Sequence, residues 1–178
     1  LSLLAQIGVV PDAVIPPEID ETPKPGELPG PHALRLALEK ARAGRAPDSL
    51  TLAADTVVGV GRRILPKTET HDQARACLDL LSGRAHQVFT GVAVIDAAGH
   101  VRSRLVGCRV RFKRLTPSEC EGYLASEEWR GKAGGYGVQG AAGRFVLALN
   151  GSYTAVVGLP LYETAALLSA AGYRAPGW

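Results

Sequence analysis

The feature that most narrows the folds open to this chain is a pair of long β-rich runs, "HQVFTGVAVID" (His86 to Asp96) and "VRSRLVGCRVRFKRL" (Val101 to Leu115), separated only by "AAGH". Runs rich in β-branched residues on either side of a short glycine-bearing link predict an antiparallel hairpin. Whatever else the chain builds must pack against that ribbon.

Helical signals flank it. Pro31 begins "PHALRLALEKARAG", in which Ala33, Leu34, Ala37, Leu38 and Ala41 recur at helical spacing and Gly44 is placed to end the helix. Thr70 followed by Gln73 reads as a capping box opening "HDQARACLDLLSG", which runs to Gly83. Thr116, Pro117 and Glu119 repeat the capping chemistry and open a short helix through Tyr123. "SLTLAA" reads as a short strand, and "VVGVGRRIL" as two strand ends joined at a glycine turn. The last third gives a glycine-rich loop, a strand "RFVLAL", a turn, the apolar "TAVVGLP" and a final helix "LYETAALLSAAG". Helices and strands alternate without a fixed period or internal repeat, which predicts an α/β domain with a mixed sheet. The proline-dense stretch from Val9 to Gly30 reads as an extended loop, because proline fixes the backbone and removes amide donors.

Composition bounds the function. With 178 residues, 46% of them hydrophobic, the chain fits one domain spanning residues 1–178, long enough to bury roughly 70% of the surface its unfolded form exposes. A formal charge of +3 with scattered basic residues suits a small anionic ligand better than a nucleic acid, which calls for a basic face or stripe. Three cysteines without a C-x-x-C pair read as reduced thiols in a cytoplasmic protein. No apolar run approaches the roughly 20 residues of a membrane span, and no leader precedes a cleavage site. The expectation is a soluble cytoplasmic protein without membrane or nucleic-acid partners. "NGS" at Asn150 then serves as a turn rather than a glycosylation site. The chain opens on "LSLLAQIG", in mid-helix style and without methionine, so the natural start is expected to precede it.

Three groups of residues could carry chemistry. Glu18, Asp20 and Glu21 crowd carboxylates into the proline-rich loop; a divalent cation would relieve their repulsion, although surface loops are commonly acidic. Asp55 follows the apolar "TLAA", where ligands gather at the carboxyl ends of strands; it could equally accept turn amides with Thr56 assisting. "GKAGGYGVQG", from Gly131 to Gly140, lets backbone approach a ligand while Lys132 and Gln139 supply polar contacts; a flexible surface loop would show the same glycines, though Tyr136 paired with Gln139 is less expected there. It is not a phosphate-binding P-loop, and Gly59 with Gly61 lacks the third glycine of a dinucleotide fingerprint. His86 opens a strand and reads as a structural hydrogen-bonding group.

In order along the chain, "IDE", "LALEKA", "AADTVV", "ILPK", "LSGRAHQVFTGVAV", "VRFKRL", "WRGKAGGYGVQG" and "NGSYTAVVGLPLYET" resemble the Maf family of nucleoside triphosphate pyrophosphatases, also called septum formation proteins, from Leu1 to about Gly172. The resemblance implies an elongated mixed sheet flanked by helices, with two lobes around a cleft, as in the inosine triphosphate pyrophosphatases. It implies hydrolysis of a nucleoside triphosphate to the monophosphate and pyrophosphate, dependence on a divalent metal (Mg²⁺ or Mn²⁺), a homodimer and a link to cell division. By motif, Asp55 is similar to the family's proton acceptor, and Glu21 to a metal or catalytic carboxylate. Lys40 and Lys67 resemble its phosphate-side lysines, and Thr56 and Gln139 its positions for choice of base, here of the dTTP and UTP type. Glu21 and Asp55 are the metal ligands this implies. The family's Ser-x-Ser-Pro-Arg-Arg segment is missing ahead of "LSLL", and Thr68 stands where the family usually has proline, which implies a less fixed backbone around Lys67. The alternative is a catalytically weak nucleotide-binding regulator of division that has kept the cleft.

Overall fold

A computed structural model describes residues 1–178. Its framework is a five-stranded sheet in the order β2-β1-β3-β4-β5. The strands are β1 (Thr51–Val60), β2 (Arg63–Leu65), β3 (Ala85–Ile95), β4 (Val101–Phe112) and β5 (Val146–Asn150). The helices are α1 (Ser2–Gln6), α2 (Pro29–Ala43), α3 (His71–Leu81), α4 (Pro117–Ala125), α5 (Tyr153–Val157) and α6 (Leu161–Ala170). The hairpin predicted from the two β-rich runs is the centre of the sheet, with β3 and β4 paired from Ala85↔Arg111 to Ile95↔Val101. Every strand pair is antiparallel, where the alternation of helices and strands had suggested a mixed sheet. The helices pack on the sheet without serving as right-handed crossovers between parallel neighbours.

Side chains alternate between the two faces of each strand, and the faces carry different work. On one face α2 lies against β1 and β3, burying Ala37 and Ala41 with Ala93 and Ile95. The opposite face carries two separate cores. Val58, Val88, Val110 and Phe112 join Leu78 and Leu81 of α3 and Tyr123 and Leu124 of α4 in the larger one. Val92 and Val94 join Leu167 and Leu168 of α6 and Val9 in the smaller. Between these two lobes the strands present not hydrocarbon but the threonine pair Thr56 and Thr90, directly opposed across β1 and β3. The resulting cleft is the one the family resemblance implies.

Local chemistry explains the boundaries. Thr70 and Thr116 each accept a bond from the backbone of the third helical residue, and Gln73 and Glu119 reciprocate, so both capping boxes form as read. Helix α2 begins at Pro29, two residues before the Pro31 start expected, since prolines suit the first turn, where the missing N–H is no loss. Asn150 ends β5, Gly151 turns the chain at φ 120°, and Ser152 caps α5. "TAVVGLP" thus contributes a short helix and a turn. "RFVLAL" is divided, with Arg144 and Phe145 in a 3₁₀ turn ahead of β5. The three cysteines are buried free thiols, and no helix is long and apolar enough to cross a membrane.

Candidate active site

Asp55 lies in the middle of β1, five residues before its end, not at the carboxyl end of a short strand as the apolar run "TLAA" suggested. What makes the position accessible is the brevity of β2, which pairs only with Val58 to Val60 and leaves the edge of β1 around Asp55 without a neighbouring strand. A cavity of about 250 Å³ opens there, lined by Asp55, Thr56, Lys67, Lys132, Tyr136 and Gln139 among others. Residues of both sheet faces can reach it because it lies at an edge.

Two segments bring cations to Asp55. Lys40, in the last turn of α2, and Lys67, just beyond β2, both donate to Asp55 Oδ1. Lys67 does so at 3.3 Å. Glu21 completes a closed ring: its Oε1 lies 2.6 Å from Lys40 Nζ and its Oε2 2.5 Å from Lys67 Nζ. Two carboxylates and two ammonium groups therefore alternate, and the ring carries no net charge. The four residues are separated in sequence by up to 46 positions.

Arg35 explains how a loop residue such as Glu21 is held. From α2 it donates to the Thr22 carbonyl at 3.1 Å and to both oxygens of Glu27, at 2.7 and 2.8 Å. These bonds outweigh burial and hold the Glu27 carboxyl down at about 2. The clamp ties the proline-rich segment to the same helix that supplies Lys40. Of the acidic trio, only Glu21 enters the site. Glu18 is exposed, and Asp20 accepts from the Thr22 amide at 2.9 Å, so the three do not gather around one point.

Burial and charge oppose each other within the ring. Burial disfavours the Lys40 ammonium, yet its bonds to Asp55 and Glu21 prevail and raise its pKa. Partial burial likewise works against ionised Glu21, and the bonds from Lys40 and Lys67 still hold its carboxyl below the ordinary value. Lys40 and Glu21 are thus each held in the charged form, as a site for a polyanion requires.

Nowhere does the chain gather three or more His, Cys, Asp or Glu side chains able to hold a metal. Asp55 Oδ2, however, is buried and has no hydrogen-bond partner. One bare carboxylate oxygen with a second carboxylate nearby fits a hard cation that draws its remaining ligands from phosphate oxygens and water.

The Lys67 segment is fixed, against the expectation drawn from Thr68. Thr68 is fully buried, and its hydroxyl donates to the Trp129 carbonyl at 2.7 Å. Its amide donates to the Lys132 carbonyl at 3.2 Å, a bond proline could not make. Gly131 N–H returns a bond to the Thr68 carbonyl at 2.8 Å, and Lys67 bridges Ala133. The glycine-rich loop is thereby sewn to Lys67, which brings Lys132, Tyr136 and Gln139 to the cavity wall.

Thr56, on the opposite face of β1 from Asp55, lines the same cavity. Its Oγ1 lies 2.8 Å from Thr90 Oγ1, which in turn donates to the Ala155 carbonyl of α5 at 2.7 Å. Gln139 lines the same cavity with Val156 and Val157. His86 stays outside it, buried at 2.7 Å from the Tyr136 hydroxyl, and burial pushes its pKa down to about 4. Arg35 and Thr90 were not anticipated from sequence. An arginine on a helix and a threonine in a β-run carry no signal until the loop and the strand register are known.

The model of the family described as Maf-like protein matches residues 1–171. A dTTP/UTP pyrophosphatase of Caulobacter vibrioides is 64% identical over 98% of this chain and 91% of its own length. Proteins of the same name from Maricaulis maris and Mesorhizobium japonicum are 63% and 57% identical, over 96% and 98% of this chain and 83% and 88% of their own lengths.

Proposed function

Because the chain belongs to the Maf family, we propose that it hydrolyses nucleoside triphosphates of the dTTP and UTP type to the monophosphate and pyrophosphate, with the edge cleft of β1 as the active site. The observation that carries the reading is the convergence of Glu21, Lys40, Asp55 and Lys67 in one ring, two members of which, Asp55 and Lys67, line a cavity that Thr56 and Gln139 also line. A triphosphate tail and a base need both chemistries in one cavity.

Attack of water on a phosphorus screened by negative oxygens is limited by charge and alignment, so the site must neutralise and position more than it must bond. In the ring the lysines are satisfied by carboxylates. An arriving triphosphate exchanges those partners, with Lys40 and Lys67 turning to phosphate oxygens and Asp55 released to hold a water and accept its proton. Lys132 on the cavity wall adds a third cation. Glu21 and Asp55 would hold a divalent cation, Mg²⁺ or Mn²⁺, which when bound supplies further neutralisation of the phosphates. Pyrophosphate then departs with its charge already matched.

Pyrophosphate release measured with Mg²⁺ across dTTP, UTP, CTP, ATP and GTP tests the reading. Turnover concentrated on dTTP and UTP is the expected result. A chain that binds these nucleotides and releases no pyrophosphate from any of them would be a regulator with a nucleotide cleft, and the enzyme assignment would fall.

A further inference from the structure

The two threonines facing each other in the cleft hold more information than their positions. Thr90 is fully buried, and its single hydroxyl hydrogen is committed to the Ala155 carbonyl, which can only accept. Its oxygen is therefore the acceptor in the 2.8 Å contact with Thr56. The Thr56 hydroxyl must spend its own hydrogen on Thr90. What remains on the cavity side is a pair of lone pairs, so Thr56 Oγ1 is an acceptor without a donor to offer.

We infer that Thr90 is a positioning residue for choice of base, orienting Thr56 so that the cleft accepts a ring N–H donor, as the imide N3–H of uracil and thymine provides, and disfavours cytosine, whose N3 is a bare acceptor. The inference deepens the pyrophosphatase reading of the same cleft and rests on it for the identity of the ligand. A free threonine hydroxyl rotates to suit either partner. The Thr56 hydroxyl cannot, because the chain runs on through Thr90 to the main chain of α5. Discrimination follows from what is left unmade: a cytosine N3 set against Thr56 Oγ1 places two acceptors face to face, both stripped of water.

The geometry also makes the relay separable from the fold. The Ala155 carbonyl receives a second bond, from the Gly158 amide at 3.0 Å, so removing the Thr90 hydroxyl does not orphan a buried carbonyl. Valine matches threonine in shape and sits readily in a strand. Thr90→Val therefore deletes the orienting hydrogen bond while keeping the side chain's outline.

The test is a measurement of affinity for the non-hydrolysable α,β-methylene analogues of UTP and CTP, by calorimetry with Mg²⁺, on the parent, Thr90→Val, Thr90→Ser, Thr56→Val and the Thr56/Thr90 double valine variant. The parent should favour the uridine analogue by about tenfold or more, the range one unmade buried hydrogen bond commands. Thr90→Val should bring the ratio towards one, and Thr90→Ser, which restores the hydroxyl, should recover it. Thr56→Val should lose the ratio to the same extent, with no further loss in the double variant, since both changes cut one relay. A Thr90→Val protein that keeps the parent ratio, or a serine variant that fails to recover it, overturns the inference, as does a parent without preference. Should Thr90→Val not fold, the parent and Thr56→Val ratios still decide it. Failure of the parent to release pyrophosphate from UTP would instead tell against the enzyme alone, because the affinity ratio is read without turnover.

Discussion

Asp55 and Gly91 face each other across the β1–β3 ladder, and the absent side chain of the second is what delivers a partner to the first. A Cβ built on Gly91 would lie 2.5 Å from the Ala33 carbonyl oxygen and 2.7 Å from Leu34 Cα, so α2 rests on bare backbone at this point. Lys40 extends from the same helix. Gly91→Ala should therefore push α2 outward, costing about 1–3 kcal/mol of stability and lowering kcat/KM as Lys40 loses its reach. Gly122→Ala, in α4 with nothing within 4 Å of the added methyl, should instead gain roughly 0.5–1 kcal/mol. Urea unfolding and turnover of the two variants check the contrast; equal behaviour would mean that α2 is not seated by Gly91.

Asp55→Asn keeps the shape of the residue and removes its charge and basicity. Turnover should fall by about 10²–10⁴, the range for loss of a positioned proton acceptor. Affinity for the triphosphate should hold or rise, because Lys40 and Lys67 are no longer shared with a carboxylate. Parallel measurement of kcat and of nucleotide binding decides it, and pyrophosphate release near the parent rate would remove Asp55 from the role of acceptor.

Lys67 and Thr68 should separate cleanly. Lys67→Ala removes a phosphate-side cation at a site whose side chain is 37% exposed, so its effect should fall mainly on KM with little change in stability. Thr68→Val leaves the charge but deletes the buried bond to the Trp129 carbonyl, costing about 1–3 kcal/mol and loosening the junction between Lys67 and the glycine-rich loop. Thermal unfolding and steady-state kinetics on both variants distinguish the roles; an unchanged KM for Lys67→Ala would argue against its contact with phosphate.

Stability should depend on pH through His86. Its folded-state pKa lies near 4 against an ordinary value of 6.5, so the unfolded chain takes up a proton first as the solution is acidified. The contribution is complete above pH 6.5 and is lost as pH falls towards 4, on the order of 2 kcal/mol between pH 7 and 5. Urea midpoints at these two values should show the drop, and His86→Phe should flatten it. An equally steep limb in the variant would assign the effect to other groups.

Much of the fold was legible because its signals are local. The β3–β4 hairpin, both capping boxes and the turn at Asn150 are written in neighbouring residues, and the structure reproduces them. Strand direction was not, since the chain's alternation of helix and strand is compatible with either sheet type until the pairing partners are known. The ring of Glu21, Lys40, Asp55 and Lys67 was reached through the order of several motifs, because no spacing rule links a loop acid to a cation 46 residues away. Thr68 was misread for a related reason. Its effect depends on Trp129 and Lys132, which only the folded chain brings beside it. Arg35 and Thr90 were invisible because each acts through a neighbour supplied by the tertiary structure.

The three-residue length of β2 also bears on how such a chain can diverge. Surface hairpins are where insertions are ordinarily harmless. Here a few added residues beyond Leu65 would be free to zip along β1 past Asp55 and wall the carboxylate off from any nucleotide. The stretch from Leu65 to Lys67, and not the hairpin tip at Gly61 and Arg62, should thus be where lineages conserve length more strictly than sequence.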